Sequence, residues 1–203
     1  MEFRYASMFR SLRCGALRAT CVAIMFTAFV GIDTDQAHAQ PVNSFFEYRT
    51  IVEVGDLTPG GGTFSTFKPP VVNSAGTVAF RATAQGWLQD GVYVRTAGGE
   101  TTQPLTEGYG YGDPQYRFDG VEQDTLMIND AGHVALIAQM GGGPDPDVRG
   151  DWVLRYDGND VEVVMKKLQP APDGSGVLSF PKKLAFNNAS NVAFSAYISD
   201  IGR

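Results

Sequence analysis

Asn73-Ser74-Ala75-Gly76-Thr77-Val78-Ala79-Phe80 is the first of three copies of one octet in this 203-residue chain. The second copy begins 56 residues later, as Asn129-Asp130-Ala131-Gly132-His133-Val134-Ala135-Leu136. The third begins 58 residues after that, as Asn187-Asn188-Ala189-Ser190-Asn191-Val192-Ala193-Phe194. A near-constant period of this length is typical of repeat architectures. The octet therefore predicts one structural unit that the chain uses several times.

Each copy of the octet predicts a tight hairpin turn. A short apolar run precedes it and a β-branched or aromatic run follows it. Asparagine at the first place initiates a turn, and glycine at the fourth place can take the positive φ that a bulged type I turn requires. In the third copy that place holds Ser190, which disfavours positive φ, so we expect a distorted turn there. Asn191 taking the left-handed conformation instead is one way to accommodate it.

The last three places of the octet predict a buried strand. The alanines would be the small residues of one face, and the larger neighbours would fill a strand that is covered on both sides. We therefore interpret the repeated positions as turn and core residues, without a catalytic role. They are Asn73, Gly76, Ala79 and Phe80, then Asn129, Gly132, Ala135 and Leu136, then Asn187, Ser190, Ala193 and Phe194.

The octet resembles the NxxGxxAF tandem repeat of bacterial secreted proteins that carry one of several alternative C-terminal surface anchors. The first copy matches at all four named places, whereas the second departs at Leu136 and the third at Ser190. The glycine-rich stretch 55–62 is similar to the Gly-Asp and Pro-Gly turn that precedes each unit in that family. The resemblance implies a secreted repeat protein, and it implies no enzymatic activity, cofactor or ligand.

Residues 1–39 read as an export signal. Four arginines precede an apolar run at 21–32, which is too short to span a bilayer comfortably. Ala37-His38-Ala39 then forms a small-residue cleavage site, so the mature chain is predicted to begin at Gln40. An uncleaved membrane anchor is the alternative. The predicted location is extracytoplasmic: secreted, periplasmic or at the cell surface.

The predicted mature chain, residues 40–203, is acidic and lacks cysteine. It carries 12 basic and 19 acidic residues, a formal net charge of −7, and both cysteines fall within the signal. Stability must therefore come from packing and strand pairing without disulfides. An acidic chain without basic clusters argues against nucleic acid and against anionic membranes as partners. No later stretch is long and apolar enough to cross a membrane as a helix.

The pattern of strands and turns predicts an all-β fold of tandem four-stranded antiparallel meanders, similar to propeller blades. An N-terminal strand is expected at 45–54, followed by unit one at 67–106, unit two at 123–165 and a partial unit three at 182–203. An open stack of sheets, or a sandwich, is the alternative architecture. Because the third unit stops half-way, the sequence suggests a partial product of a longer repeat protein, prone to self-association through exposed strand edges.

Candidate chemistry is sparse in the sequence. Three carboxylates in the loop 141–151 could hold Ca²⁺, but the spacing is not that of an EF-hand and an arginine stands among them, so a solvated loop is favoured. His133, the single histidine after the signal, follows a turn where the other copies have Thr77 and Asn191, which favours an exposed turn flank over a general base. No metal and no cofactor are predicted.

Two functions fit the sequence. The leading hypothesis is a non-enzymatic, exported binding scaffold that presents loops such as 108–119 and 141–151 to a surface protein or a polysaccharide. The alternative is a fragment of a propeller-type hydrolase or lyase that acts on extracellular carbohydrate, with catalytic groups in other units.

Overall fold

The computed structural model describes residues 4–7, 47–86, 89–112 and 115–199. The segment Arg4–Arg49 forms a compact unit of its own, separate from the unit Thr50–Arg203. In the former, β1 (Arg4–Ser7) pairs with β2 (Glu47–Thr50). The remaining described residues form three antiparallel sheets. This confirms the all-β prediction.

Sheet one is an antiparallel meander whose first strand is broken. Two short strands, β3 (Thr63–Phe67) and β4 (Val71–Val72), both pair with β5 (Val78–Gln85). On the other edge of β5 follow β6 (Gln89–Arg95) and β7 (Thr101–Thr106). The break coincides with Pro69 and Pro70, which have no N–H to donate to a ladder.

Sheet two has the same order. β8 (Tyr116–Val121) and β9 (Met127–Ile128) pair with β10 (Val134–Gly142), which is followed by β11 (Gly150–Tyr156) and β12 (Val161–Met165). Sheet three consists of β13 (Val177–Phe186) and β14 (Val192–Ser199). A 3-10 turn at Pro146–Val148 lies in the connection between β10 and β11.

The first strand of each unit begins earlier than predicted. The starts are Thr63, Tyr116 and Val177, whereas residues 67, 123 and 182 were expected. Each strand is interrupted near its middle, and the prediction placed the start at that interruption. In sheet three the interruption is a shift of register between Ser179 and Lys183, with Phe180 at a positive φ of 45°.

The N-terminal strand predicted at 45–54 is also shorter than expected. In the described part it covers Glu47–Thr50 and pairs with β1 instead of joining a repeat unit. The glycine-rich stretch after it pairs with sheet one: Gly55 N–H donates to the Phe64 carbonyl at 2.8 Å, and Phe64 N–H donates to Asp56 at 2.9 Å. Phe118 and Leu178 make the same pair of bonds with the segments after β7 and β12.

The sheets stack through apolar faces, as the open-stack alternative expected. Ala79, Val92 and Leu105 of sheet one share a buried cluster with Leu136 and Trp152 of sheet two. On the opposite face of sheet two, a second cluster contains Ile137, Val153 and Met165, and Leu184 and Phe194 of sheet three pack against it. The predicted two-sided burial therefore holds in β5 and β10, whereas Ala193 of β14 is exposed. Among the described residues, no helix is long and apolar enough to span a bilayer.

Candidate functional site

The three octets form turns with the same hydrogen bonds. In the first, Asn73 and Thr77 pair through Asn73 N–H and the Thr77 carbonyl at 3.1 Å, and the Asn73 side-chain oxygen accepts from Thr77 N–H at 2.8 Å. Asn129 and Asn187 accept in the same way from the residue four places on, each at 2.9 Å. Each asparagine therefore closes its own turn.

The fourth residue of each turn is left-handed. Gly76 and Gly132 have φ of 80° and 84°, and Ser190 has φ of 61°. The expectation of a distorted third turn, with Asn191 in the left-handed place, is wrong: Ser190 takes the conformation itself and its N–H donates to Asn187 at 3.0 Å, as in the other turns. Contacts with the neighbouring unit offset the cost of this conformation for a serine.

The asparagine side chains also join one unit to the next. The Asn73 amide donates to the Asn129 carbonyl at 2.8 Å, and the Asn129 amide donates to the Asn187 carbonyl at 3.2 Å and to Ser190 Oγ at 3.0 Å. Asn129 is buried, with only 3% of its surface exposed. The repeated asparagines therefore form a ladder that runs across the three units; we call this set, Asn73, Asn129 and Asn187, the asparagine ladder.

A second series of contacts runs beside the asparagine ladder, through the next residue of each turn. Ser74 donates to the Asp130 carboxylate from its N–H at 3.2 Å and from its hydroxyl at 2.5 Å. Asn188 donates to the same carboxylate at 2.6 Å and accepts from Asp130 N–H at 3.0 Å. The bonds from Ser74, followed by the bond from Asn188, lower the pKa of Asp130.

His133 contributes to the same inter-unit contact. Its Nδ1 lies 2.7 Å from Ser190 Oγ, and the ring is half-buried instead of being a free turn flank. In the unit before, Thr77 lies in the corresponding place, and its methyl group is 3.7 Å from where a side chain on Gly132 would begin. A contact at this place thus recurs between units, which favours a structural role for the histidine.

Two cavities lie among the described residues outside this ladder. One, of about 500 Å³, lies between sheets one and two and has the charged residues Lys68, Arg81, Glu122 and Asp124 in its lining. Arg81 is already engaged there, since its guanidinium pairs with Asp90 and donates to the Val121 carbonyl at 2.9 Å. One of the cations that line this cavity is therefore already paired within the fold.

The other cavity, of about 210 Å³, lies beside β6 and β7, and none of the described residues in its lining is charged. Its polar groups come from Thr58, Tyr93, Gln103 and Thr106, and Tyr109, which is 60% exposed, stands at its edge. The Tyr93 hydroxyl is buried and has no hydrogen-bond partner in the described part of the chain. Burial, followed by the nearby Asp90 charge, raises the pKa of Tyr93 to about 12.

The acidic loop 141–151, which the structure shows to include the end of β10 and the start of β11 as well as their connection, is held by hydrogen bonds. The Asp145 carboxylate accepts from Asp147 N–H at 2.9 Å and thereby caps the 3-10 turn. The Arg149 guanidinium donates to the Gly143 carbonyl, and the Lys167 ammonium donates to the Arg149 carbonyl, each at 2.9 Å. Burial, with the Glu122 charge second, raises the pKa of Asp151. The described residues contain no group of three His, Cys, Asp or Glu side chains placed to hold a metal.

Residues 22–202 match the model of a family of unknown function, DUF7453. The chain belongs to this family. No curated protein and no solved structure matches the chain.

Sequence reasoning missed the cavity beside β6 and β7 because its polar residues lie outside the repeated octets. A comparison of the two units would have indicated it. Phe80 pairs with Tyr93 as Leu136 pairs with Leu154, so Tyr93 occupies the place of Leu154, and by the same register Gln103 occupies the place of Val163. Tyr109, an aromatic residue whose ring could stack on a sugar, borders the cavity.

Proposed function

We propose that this chain is an exported, non-enzymatic binding scaffold of the NxxGxxAF type, which presents loops at the cell surface or outside the cell to a surface protein or a polysaccharide. The observation that carries the proposal is the asparagine ladder. Because half-buried amide bonds connect successive turns, neighbouring units hold a fixed relation to one another. A rigid stack of sheets with exposed connecting loops suits binding, since ordered elements position the loops.

The loops offered to a partner are those between the strands. Tyr109, in the connection between β7 and β8, is 60% exposed, and Asp145 and Asp147, in the connection between β10 and β11, are exposed as well. Large exposed aromatic side chains with few rotatable bonds are favourable binding groups. Self-association through strand edges stays a prediction, and it concerns β14, whose edge away from β13 has no partner strand among the described residues.

Export and binding can be tested on one strain that expresses the full chain. Mass spectrometry of the extracytoplasmic fraction should find a protein that begins at Gln40. Purified protein should then bind isolated cell-envelope polysaccharide or intact cells in a sedimentation assay, and Tyr109→Ala should weaken that binding. Tyr197→Ala is the matched control, because Tyr197 is 61% exposed but lies on β14, outside the loops. Recovery of intact protein in the cytoplasm alone, or equal effects of the two variants, would contradict the proposal.

A further inference from the structure

The cavity beside β6 and β7 contains a polar pair that the second unit lacks. Tyr93 and Gln103 belong to adjacent strands of sheet one, and in the equivalent ladders of sheet two the same places hold Leu154 and Val163. Leu154 is buried in the apolar cluster between sheets one and two, and Val163 packs against that cluster. The first unit has therefore replaced two apolar side chains by a phenol and an amide, which pack less favourably unless they bind a polar partner.

A β-bulge places the Gln103 amide. Val92 pairs with Leu105 and Val94 pairs with Thr102, so that Gln103 and Pro104 together stand opposite Tyr93. The extra residue of a bulge bends the strand and redirects a side chain, and bulges are frequent beside binding sites. Gln103 is half-buried, and its amide has no hydrogen-bond partner among the described residues. A carboxamide in this position can offer both a donor and an acceptor.

Two glycines leave the room that this amide occupies. A Cβ on Gly91 would lie 2.7 Å from the Gln103 amide nitrogen, and a Cβ on Gly60 would lie 2.9 Å from its oxygen. Neither glycine has a positive φ. Backbone conformation therefore does not require glycine at these positions, whereas the space around the amide does. The amide is held between two backbone segments, with its position set by the fold.

The ring of Tyr93 is also held in place by its neighbours. It stacks on Phe80 at 5.5 Å between centroids and meets the edge of Phe64 at 4.8 Å. These contacts fix the ring, while the hydroxyl oxygen stays buried without a partner. A buried hydroxyl without a partner destabilises a fold, and such groups are a recognised feature of sites that bind or react. With its raised pKa, the phenol stays protonated at neutral pH and can donate a hydrogen bond.

We propose that this cavity binds a single neutral sugar ring, with the Gln103 amide and the Tyr93 hydroxyl hydrogen-bonded to its hydroxyl groups and Tyr109 against its face. The inference rests on the proposed binding function and names its ligand class. The described residues of the lining are uncharged, which favours neutral hydroxyl groups over carboxylates or phosphates, whose burial without a cation is costly. A volume of about 210 Å³ is below the roughly 300–1,000 Å³ usual for drug-sized ligands, which suits one ring instead of an oligosaccharide.

The test is isothermal titration calorimetry of the purified full chain with the methyl glycosides of glucose, galactose, mannose and N-acetylglucosamine, and with sodium glucuronate. At least one neutral glycoside should bind with a stoichiometry of one, and glucuronate should not. Gln103→Val, which introduces the residue type of unit two, should weaken the Kd about tenfold, the equivalent of about 1.4 kcal/mol. Gln123→Ala, an exposed amide outside the cavity, is the control and should leave the Kd unchanged.

Tyr93→Phe separates a binding role from a structural one. It should weaken the Kd about tenfold as well, yet leave the thermal midpoint of the free protein unchanged or higher, because it removes an unsatisfied buried hydroxyl. Absence of binding by all the neutral glycosides, or binding that neither Gln103→Val nor Tyr93→Phe weakens, would overturn the inference. If the Tyr93→Phe variant still sediments with envelope polysaccharide as the parent does, this site is wrong while the scaffold function stands.

Discussion

The side-chain amide of Asn73 donates to the backbone carbonyl of Asn129, 56 residues further along the chain, at 2.8 Å. The two residues are the first places of successive octets. The same asparagine accepts from its own turn with its side-chain oxygen. One side chain thus closes a turn and attaches it to the next turn, which explains physically why an amide is used at a place where aspartate would also initiate a turn.

Replacement of Asn129 should cost more than replacement of Asn187. Asn129→Ala loses the bond that closes its own turn and the amide bonds to Asn187 and Ser190, in a buried setting, so we expect a loss of about 2–4 kcal/mol in the free energy of unfolding. Asn187→Ala loses the turn bond alone among the described contacts of its side chain, and about 1 kcal/mol is expected. Denaturant midpoints measure both. Equal losses would mean that the asparagine ladder contributes no stabilisation between units.

The second prediction concerns three residues in the left-handed backbone conformation. Gly55, Gly108 and Leu168 occupy equivalent places ahead of the first strand of each sheet, with φ of 97°, 84° and 65°. A Cβ on Gly108 would meet no atom within 4 Å, so Gly108→Ala should destabilise by the conformational cost alone, about 1–2 kcal/mol. Leu168→Gly removes that cost and should be neutral or stabilising by up to about 1 kcal/mol. Thermal or chemical unfolding in which alanine stabilises at position 108 would contradict the assignment.

Two variants of Ser190 separate the conformational free energy of its positive φ from the stabilisation that its hydroxyl contributes. Both Ser190→Gly and Ser190→Ala lose the contacts of Oγ with Asn129 and His133, but only glycine relieves the positive φ. The alanine variant should therefore be the less stable of the two by about 1–2 kcal/mol. Ser190→Gly is expected to lie close to the parent, because the two effects oppose each other. If the two variants have the same stability, the left-handed assignment of Ser190 is wrong.

The turns were predictable from the sequence, and the connections between them were not. Asparagine and glycine at fixed places have a local meaning, since turn-closing bonds and positive φ concern neighbouring residues, so the octet identified the hairpins at Asn73, Asn129 and Asn187. The Asn73 to Asn129 bond joins two distant parts of the chain, and no local pattern reveals it. For a related reason the start of unit one was predicted too late. Pro69 and Pro70 interrupt the first strand, and the part before them, β3, is recognisable as a strand of this sheet only from its pairing with β5.

Asp130 should make the protein more sensitive to acid. The bonds from Ser74 and Asn188 lower its pKa from the usual 3.8, so the folded chain binds this proton more weakly than the unfolded chain. Its contribution is present above pH 3.8 and is lost as the pH falls through the lower folded value. Asp130→Asn should therefore reduce stability at pH 7 and flatten the decline below pH 4. Glu100→Gln, an exposed carboxyl without a side-chain bond among the described residues, should leave the profile unchanged.

Calcium should leave the stability of the protein unchanged, although the loop 141–151 contains Asp145, Asp147 and Asp151. Calcium takes six to eight oxygen ligands, carbonyls among them, and two loop carbonyls, those of Gly143 and Arg149, already accept from cationic side chains. The Asp145 carboxylate is engaged as a turn cap. A specific site at a hundredfold excess of calcium over its Kd would add about 2.7 kcal/mol to the free energy of unfolding. We expect no such increase in thermal scans with calcium and with EDTA, and a rise of several degrees that Asp147→Ala abolishes would show that the loop is a calcium site.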